Sequence, residues 1–227
     1  MPFEEAKMNA RRLTATILCS AAALTGLSGC AKKGEIVVDS GVGITAVRSR
    51  CPAVGIPNYT GDVTLFRNAG DRTAANLDVV AAMTDVRSQC NEEVGDKVTA
   101  NVSFQVLANR TDTSGARQVT LPYFVTVLQG GTSVISKRVG SVMLNFADGQ
   151  ARAQAQGTGI AYIDRAAATL PPEIRDQITR KRKAGESDAA LDPLADPTVK
   201  AALARASFEV LVGFQLDDSQ LAYNATR

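Results

Sequence analysis

The chain has no histidine and no tryptophan among its 227 residues. Without an imidazole there is no serine–histidine–aspartate triad, no cysteine–histidine dyad and no histidine-based metal site. Aromatic side chains are scarce, with seven phenylalanines and four tyrosines, so a core must be built mainly from aliphatic residues. An excess of one charge is also missing. Basic residues number 25 and acidic residues 23, a net +2 that supplies no electrostatic reason to expect a nucleic-acid partner. No apolar run reaches the roughly 20 residues that carry a helix across a bilayer. The local signatures G-x-S-x-G, S-x-x-K, C-x-x-C and the Walker glycine loop are all absent. What is present is a 45% apolar composition and 18 glycines, the material of a globular domain rich in turns. The length suits one domain or two small ones.

Residues 8–30 read MNARRLTATILCSAAALTGLSGC. Arg11 and Arg12 form a basic head, Leu13 to Leu27 is uncharged, and small residues follow. This is the layout of a secretory signal, so residues 1–29 are expected to be a signal peptide. Glu4 and Glu5 ahead of the basic head are foreign to that layout, which makes Met8 the expected start of translation.

Leu27-Ser28-Gly29-Cys30 resembles the bacterial lipobox. That resemblance implies cleavage between Gly29 and Cys30 and a diacylglyceryl group on the Cys30 thiol. Buried methylenes contribute about 0.8 kcal/mol each, so two or three acyl chains hold a protein stably on a membrane. Ala31 follows the cysteine where aspartate would signal inner-membrane retention in enteric bacteria; its absence favours the outer membrane. Residues 30–50 then read as a tether, with a first strand around Glu35–Asp39, and residues 51–227 as the folded domain.

Four cysteines occur. Cys19 falls in the signal and Cys30 is the lipid acceptor. Cys51 and Cys90 are left as an even pair for an oxidising compartment, where a disulfide is expected. Closing a loop of about 40 residues would contribute about 4 kcal/mol by chain entropy.

Period-two patterns dominate from Asp62 onward. Val98, Ala100, Val102, Phe104 and Val106 alternate with polar residues, as do Phe208, Val210, Val212, Phe214 and Leu216. Val119–Leu128 and Thr132–Lys137 flank Gly130-Gly131, a hairpin signal. Val142, Leu144 and Phe146 continue the pattern. Val63–Arg67 and Leu77–Val86 surround the turn Asn68-Ala69-Gly70-Asp71, and Gln150–Ile163 adds a further strand. Pro122 predicts an edge position or a bulge. Seven or eight strands at this spacing predict an immunoglobulin-like antiparallel β-sandwich, with a small barrel as the alternative.

The spacing breaks at about 168–206, before the last strand. Pro171-Pro172-Glu173 opens a helix that closes in Arg180–Lys183, Asp188–Asp196 reads as a mobile loop, and Asp196-Pro197 starts a second helix to Ala206. Asp217 or Asp218 caps a final helical turn.

Candidate sites have competing readings. Arg175, Arg180, Lys181, Arg182 and Lys183 can contact anionic lipid or an acidic partner, or can be a solvated helix end. Tyr123, Phe124, Phe208, Phe214 and Tyr223 can line a pocket, or pack in the core. Glu92-Glu93 and Asp217-Asp218 are carboxylate pairs, but sequence neighbours point apart on a strand, so a turn and a helix cap are the expected duties. No metal site and no cofactor is expected.

Cys51-Pro52, Leu121-Pro122-Tyr123-Phe124, and Phe208–Leu216 followed by Tyr223-Asn224 resemble segments of an uncharacterised family of envelope lipoproteins from Gram-negative bacteria. The resemblance covers most of residues 51–224 and implies an envelope lipoprotein without a catalytic residue. Thr111–Gly115 and Tyr223-Asn224 are fragments found close together in peptidoglycan-binding domains of outer-membrane-protein-A type. Here more than one hundred residues separate them, which excludes that match. The expectation is a non-enzymatic, lipid-anchored module on the periplasmic side of the outer membrane. Its partner would be another envelope protein, peptidoglycan or a second copy of itself. A small-ligand carrier is the alternative, and a hydrolase the less favoured third reading.

Overall fold

A computed structural model describes residues 48–227. The expected signal peptide, the expected Gly29-Cys30 cleavage and lipidation site and the strand expected at Glu35–Asp39 lie outside the described residues. The strands are β1 (Ala53–Gly55), β2 (Asp62–Phe66), β3 (Leu77–Asn91), β4 (Lys97–Arg110), β5 (Arg117–Gln129), β6 (Ser133–Phe146), β7 (Arg152–Asp164) and β8 (Phe208–Phe214). Helices α1 (Pro172–Thr179) and α2 (Pro197–Ala206) lie between β7 and β8, and α3 (Asp218–Thr226) follows β8.

The strands form two four-stranded sheets in the orders β1-β8-β5-β6 and β2-β3-β4-β7. Only the short β1 runs parallel to its neighbour, β8. The β5–β6 hairpin crosses to the opposite sheet, and β7 returns to pair with β4. The result is a mainly β, sandwich-like fold whose inner faces supply the core.

Alternation explains that core. On β4 the residues Val98, Ala100, Val102, Phe104 and Val106 are buried while their neighbours face outward. Val119, Leu121, Tyr123, Val125 and Val127 meet them from β5, and Phe208, Val210, Val212 and Phe214 from β8. Leu216, expected to extend this last row, lies beyond the end of β8. The expected hairpin turn has Gly130 and Gly131 at φ 62° and 78°, which costs glycine least. The Thr132 N–H closes it on the Gln129 carbonyl at 3.4 Å.

Two strands differ from expectation. β3 continues past Val86 to Asn91 because a bulge resets its alternation. Thr84 pairs with Gln105 and Arg87 with Ser103, so β3 holds one extra residue there. Asp85 takes the positive φ of 52° that accommodates it. Odd residues face inward before the bulge and even residues after it, which brings Cys90 to the core side. Pro122 is neither on an edge strand nor at the bulge of β5, which lies between Val127 and Leu128. The β5–β8 ladder ends at Tyr123–Phe214, and the Pro122 carbonyl accepts the Gln215 N–H at 2.9 Å. The missing N–H therefore points where β8 has already ended.

The 168–206 excursion has its own small core of Leu170, Ile174, Ile178, Val199, Ala202 and Ala206. Asp196 caps α2 by accepting the Thr198 N–H at 2.7 Å. The segment 188–196, expected as a loop, contains a 3-10 turn over Pro193–Ala195, capped by Asp192 and with Pro193 buried. Asp217, not Asp218, caps α3, in a reciprocal pair of bonds with Gln220. Asn224 docks this helix by donating to the Tyr59 and Asp62 carbonyls, both at 2.8 Å.

At one end of the sandwich a buried Arg110 donates to the carbonyls of Thr113, Ala147 and Gln150 at 2.8–2.9 Å, tying two turns together. Beside it Arg117 forms a two-pronged pair with Asp78 at 2.6 and 2.7 Å. Bonding to Arg117, helped by Arg67, outweighs burial and holds the Asp78 carboxyl below the usual carboxylate range. A lowered folded pKa means the pair stabilises above the unfolded value of about 4, and this is lost as pH falls through the folded value. Asp78→Asn is expected to cost about 1.5–3 kcal/mol at neutral pH and to flatten the acid limb of a stability–pH profile. Parallel profiles for the parent and the variant would contradict this.

Candidate functional site

The best-built polar site lies where the chain joins the domain. Cys51 is bonded to Cys90, with Cα atoms 5.9 Å apart, as expected. This ties the start of the domain to the last turn of β3. Just past β3, Glu92 accepts the Arg50 N–H at 2.6 Å on one oxygen and the Ser49 hydroxyl at 3.1 Å on the other. Arg50 donates from Nε to the Thr169 hydroxyl at 2.9 Å. Arg48 reaches the C-terminal end of α2, donating to Ser207 Oγ at 2.5 Å and the Leu203 carbonyl at 3.5 Å. A cation there meets the negative pole of the helix. Partial burial lowers the Arg48 pKa, though an arginine remains charged.

Arg48, Arg50, Glu92 and Thr169, with Leu170, Arg175 and Ile178, line a cleft of about 170 Å³. Three arginines and one carboxylate line it, and each oxygen of that carboxylate already accepts one hydrogen bond.

The five basic residues expected to act together are divided by the structure. Arg175 belongs to the cleft, its side chain 59% exposed and 3.3 Å from its neighbour Asp176. Arg180 is the residue that ends α1 and turns to Asp188 and Glu186. Arg182 is buried, 3.5 Å from Asp188, and donates to the Gln177 carbonyl at 3.3 Å. Burial alone would raise the Asp188 carboxyl, but Arg180 and Arg182 together hold it low. Lys181 and Lys183 are exposed. Arg180 and Arg182 therefore organise the insertion and do not join Arg175 on one open face.

The aromatic candidates do not converge on a pocket. Tyr123 packs edge-on against Phe104, with ring centres 4.9 Å apart, and its hydroxyl donates to the Thr158 carbonyl at 2.6 Å. Phe208 and Phe214 are buried in the core. Phe124 lies on the outer side beneath Lys137, and Tyr223 packs edge-on against Phe66 at 5.3 Å. Glu92 and Glu93 occupy the turn after β3, with the Glu93 carbonyl accepting from Arg165. Each carboxylate pair thus takes up the structural duty expected of it.

A second concavity, about 730 Å³ and open, lies against β3, β4 and β7. Val80, Ala82 and Leu107 make its apolar part, and Asn109, Arg152 and Gln154 its polar part. No local motif marked it in the sequence, because its residues come from four strands, Asn145 being on β6. Among the described residues no group of three or more acidic or cysteine side chains is placed to hold a metal ion, and no helix is long and apolar enough to cross a membrane. Comparison with protein-family models, curated proteins and solved structures finds no match to this chain.

Proposed function

We propose that the chain is an exported lipoprotein, anchored through Cys30 to the outer membrane, whose periplasmic body is a non-enzymatic interaction module. The observation that carries this reading is the Cys51–Cys90 disulfide. Such bonds persist in oxidising compartments, and this one clamps the domain just after the stretch that would tether it to Cys30. The lipobox resemblance supplies the anchor.

An interaction role is favoured over an internal carrier by how the sandwich is filled. Large side chains occupy the space between the sheets, and the main concavity is an open groove lined by β3, β4 and β7 with Asn145 of β6 from the other sheet. In contrast, the first seven residues of the edge strand β6, Ser133–Val139, are exposed on both faces. An exposed strand edge is a template for pairing with another chain. The non-enzymatic reading is supported by the carboxylate pairs being engaged as turn and cap. The groove with Val80 and Leu107 keeps a small-ligand carrier as the second reading. For the fold, the short first strand parallel to the last favours an immunoglobulin-like type, while the β2-β3-β4 meander departs from that strand order.

Tethering raises the domain's effective concentration for neighbours in the envelope. In-cell crosslinking of the native chain and of Cys30→Ala tests this. The native chain is expected to capture specific envelope neighbours that the variant loses. The same neighbours from both would contradict tethering.

A further inference from the structure

We infer that the arginine cleft where the chain joins the domain binds the phosphate of an anionic membrane lipid; this rests on the anchored reading above. Arg48, Arg50 and Arg175 come from two separate parts of the chain and line one small cleft. Glu92 is the sole carboxylate lining it, and its oxygens are taken by Ser49 and Arg50. It offsets one charge, and none of the three guanidinium groups is hydrogen-bonded to it.

Arg50 is the oriented member. Its Nε is fixed by Thr169, and among the described residues its two terminal nitrogens have no hydrogen-bond acceptor. Arg175 is held only by the adjacent Asp176 at 3.3 Å, an exposed pair of little strength that an incoming anion can displace. Leu170 and Ile178 supply an apolar wall, which strengthens charge pairing beside it. Planar guanidinium forks match the geometry of phosphate oxygens.

Position along the chain chooses the source of the phosphate. Seventeen residues separate Cys30 from Arg48, a span of at most about 60 Å when extended. The cleft is thus the part of the described domain closest along the chain to the bilayer surface. Binding there would seat the domain on the membrane and turn the β6 edge and the open groove into surfaces of fixed orientation.

The test uses the chain from residue 30 onward with Cys30→Ser, so that no acyl group contributes. Sedimentation with vesicles of equal parts phosphatidylglycerol and phosphatidylcholine is compared with pure phosphatidylcholine. The chain is expected to bind the anionic vesicles selectively. Arg50→Gln with Arg175→Gln is expected to weaken that binding about tenfold or more. Lys183→Gln, outside the cleft, should leave it unchanged, and thermal melting establishes that each variant is folded. Equal binding by the parent and the double variant would overturn the inference. So would tighter binding of inorganic phosphate than of vesicles, which would assign the cleft to the free anion. Because the tested chain carries no lipid, a bare amino terminus on the native protein would sink the anchored reading without altering this result.

Discussion

Valine in place of Gly157 is expected to lower the stability of the domain by about 3 kcal/mol or more, the upper end for overpacking a filled core. β7 turns a row of small residues inward: Ala153, Ala155, Gly157, Gly159 and Ala161. A Cβ at 157 would overlap the ring of Phe104, which is 1% exposed. At 159 it would come within 2.5 Å of Val125 Cγ2. The Phe104 ring has no room to swing aside, because Tyr123 packs edge-on against it while its hydroxyl is bonded to the Thr158 carbonyl. Gly159 is therefore where β5, in one sheet, presses directly on β7 in the other, while Gly157 lies under the ring of Phe104, its partner across the β4–β7 ladder. Gly157→Ala should cost about 1–3 kcal/mol by the same route. Gly55→Ala is the control, since a Cβ there meets nothing within 4 Å and its φ is not positive; it should stay within about 0.5 kcal/mol of the parent. Urea unfolding measures all three, and an unchanged midpoint for Gly157→Val would show that the Phe104 ring does not lie over Gly157 as described.

Removing the disulfide with Cys51→Ala and Cys90→Ala is expected to cost about 2–5 kcal/mol. The bond spans a sequence separation of 39, for which chain entropy gives about 4 kcal/mol. Native domains are stable by only about 5–15 kcal/mol, so this is a large fraction of the whole. The loss should be matched by adding reductant to the parent and should be absent when reductant is added to the double variant. A thiol titration of the denatured, unreduced domain should find neither cysteine free. Two free thiols, or a variant as stable as the parent, would contradict the bond.

Much of the fold was legible because burial follows alternation on β4, β5 and β8. It was not legible at β3, where one inserted residue shifts the inward face from odd to even positions. The small inward row of β7 was also weak as a signal. Alanine and glycine carry little hydrophobic contrast, although their size is what lets the two sheets approach. Pro122 misled because the rule concerns an absent N–H, and which neighbour that N–H would have met depends on where β8 stops.

The candidate site was less visible still. Arg175 and Arg182 sit seven positions apart in one basic stretch, yet one lines an open cleft and the other is buried beside Asp188. The cleft itself joins residues 48–50, 92, 169 and 175, which share no local spacing. The pairing of Cys51 with Cys90 was readable because cysteine bookkeeping needs no geometry once two of four are assigned to the signal and the lipid.

Mass spectrometry of the intact native protein, purified from the membrane fraction, tests the anchored reading most directly. The expected result is a chain that starts at residue 30 and is heavier than its amino-acid mass by a diacylglyceryl group, with or without a further acyl chain. An unmodified cysteine at that terminus, or an uncleaved chain recovered from the cytosol, would contradict it.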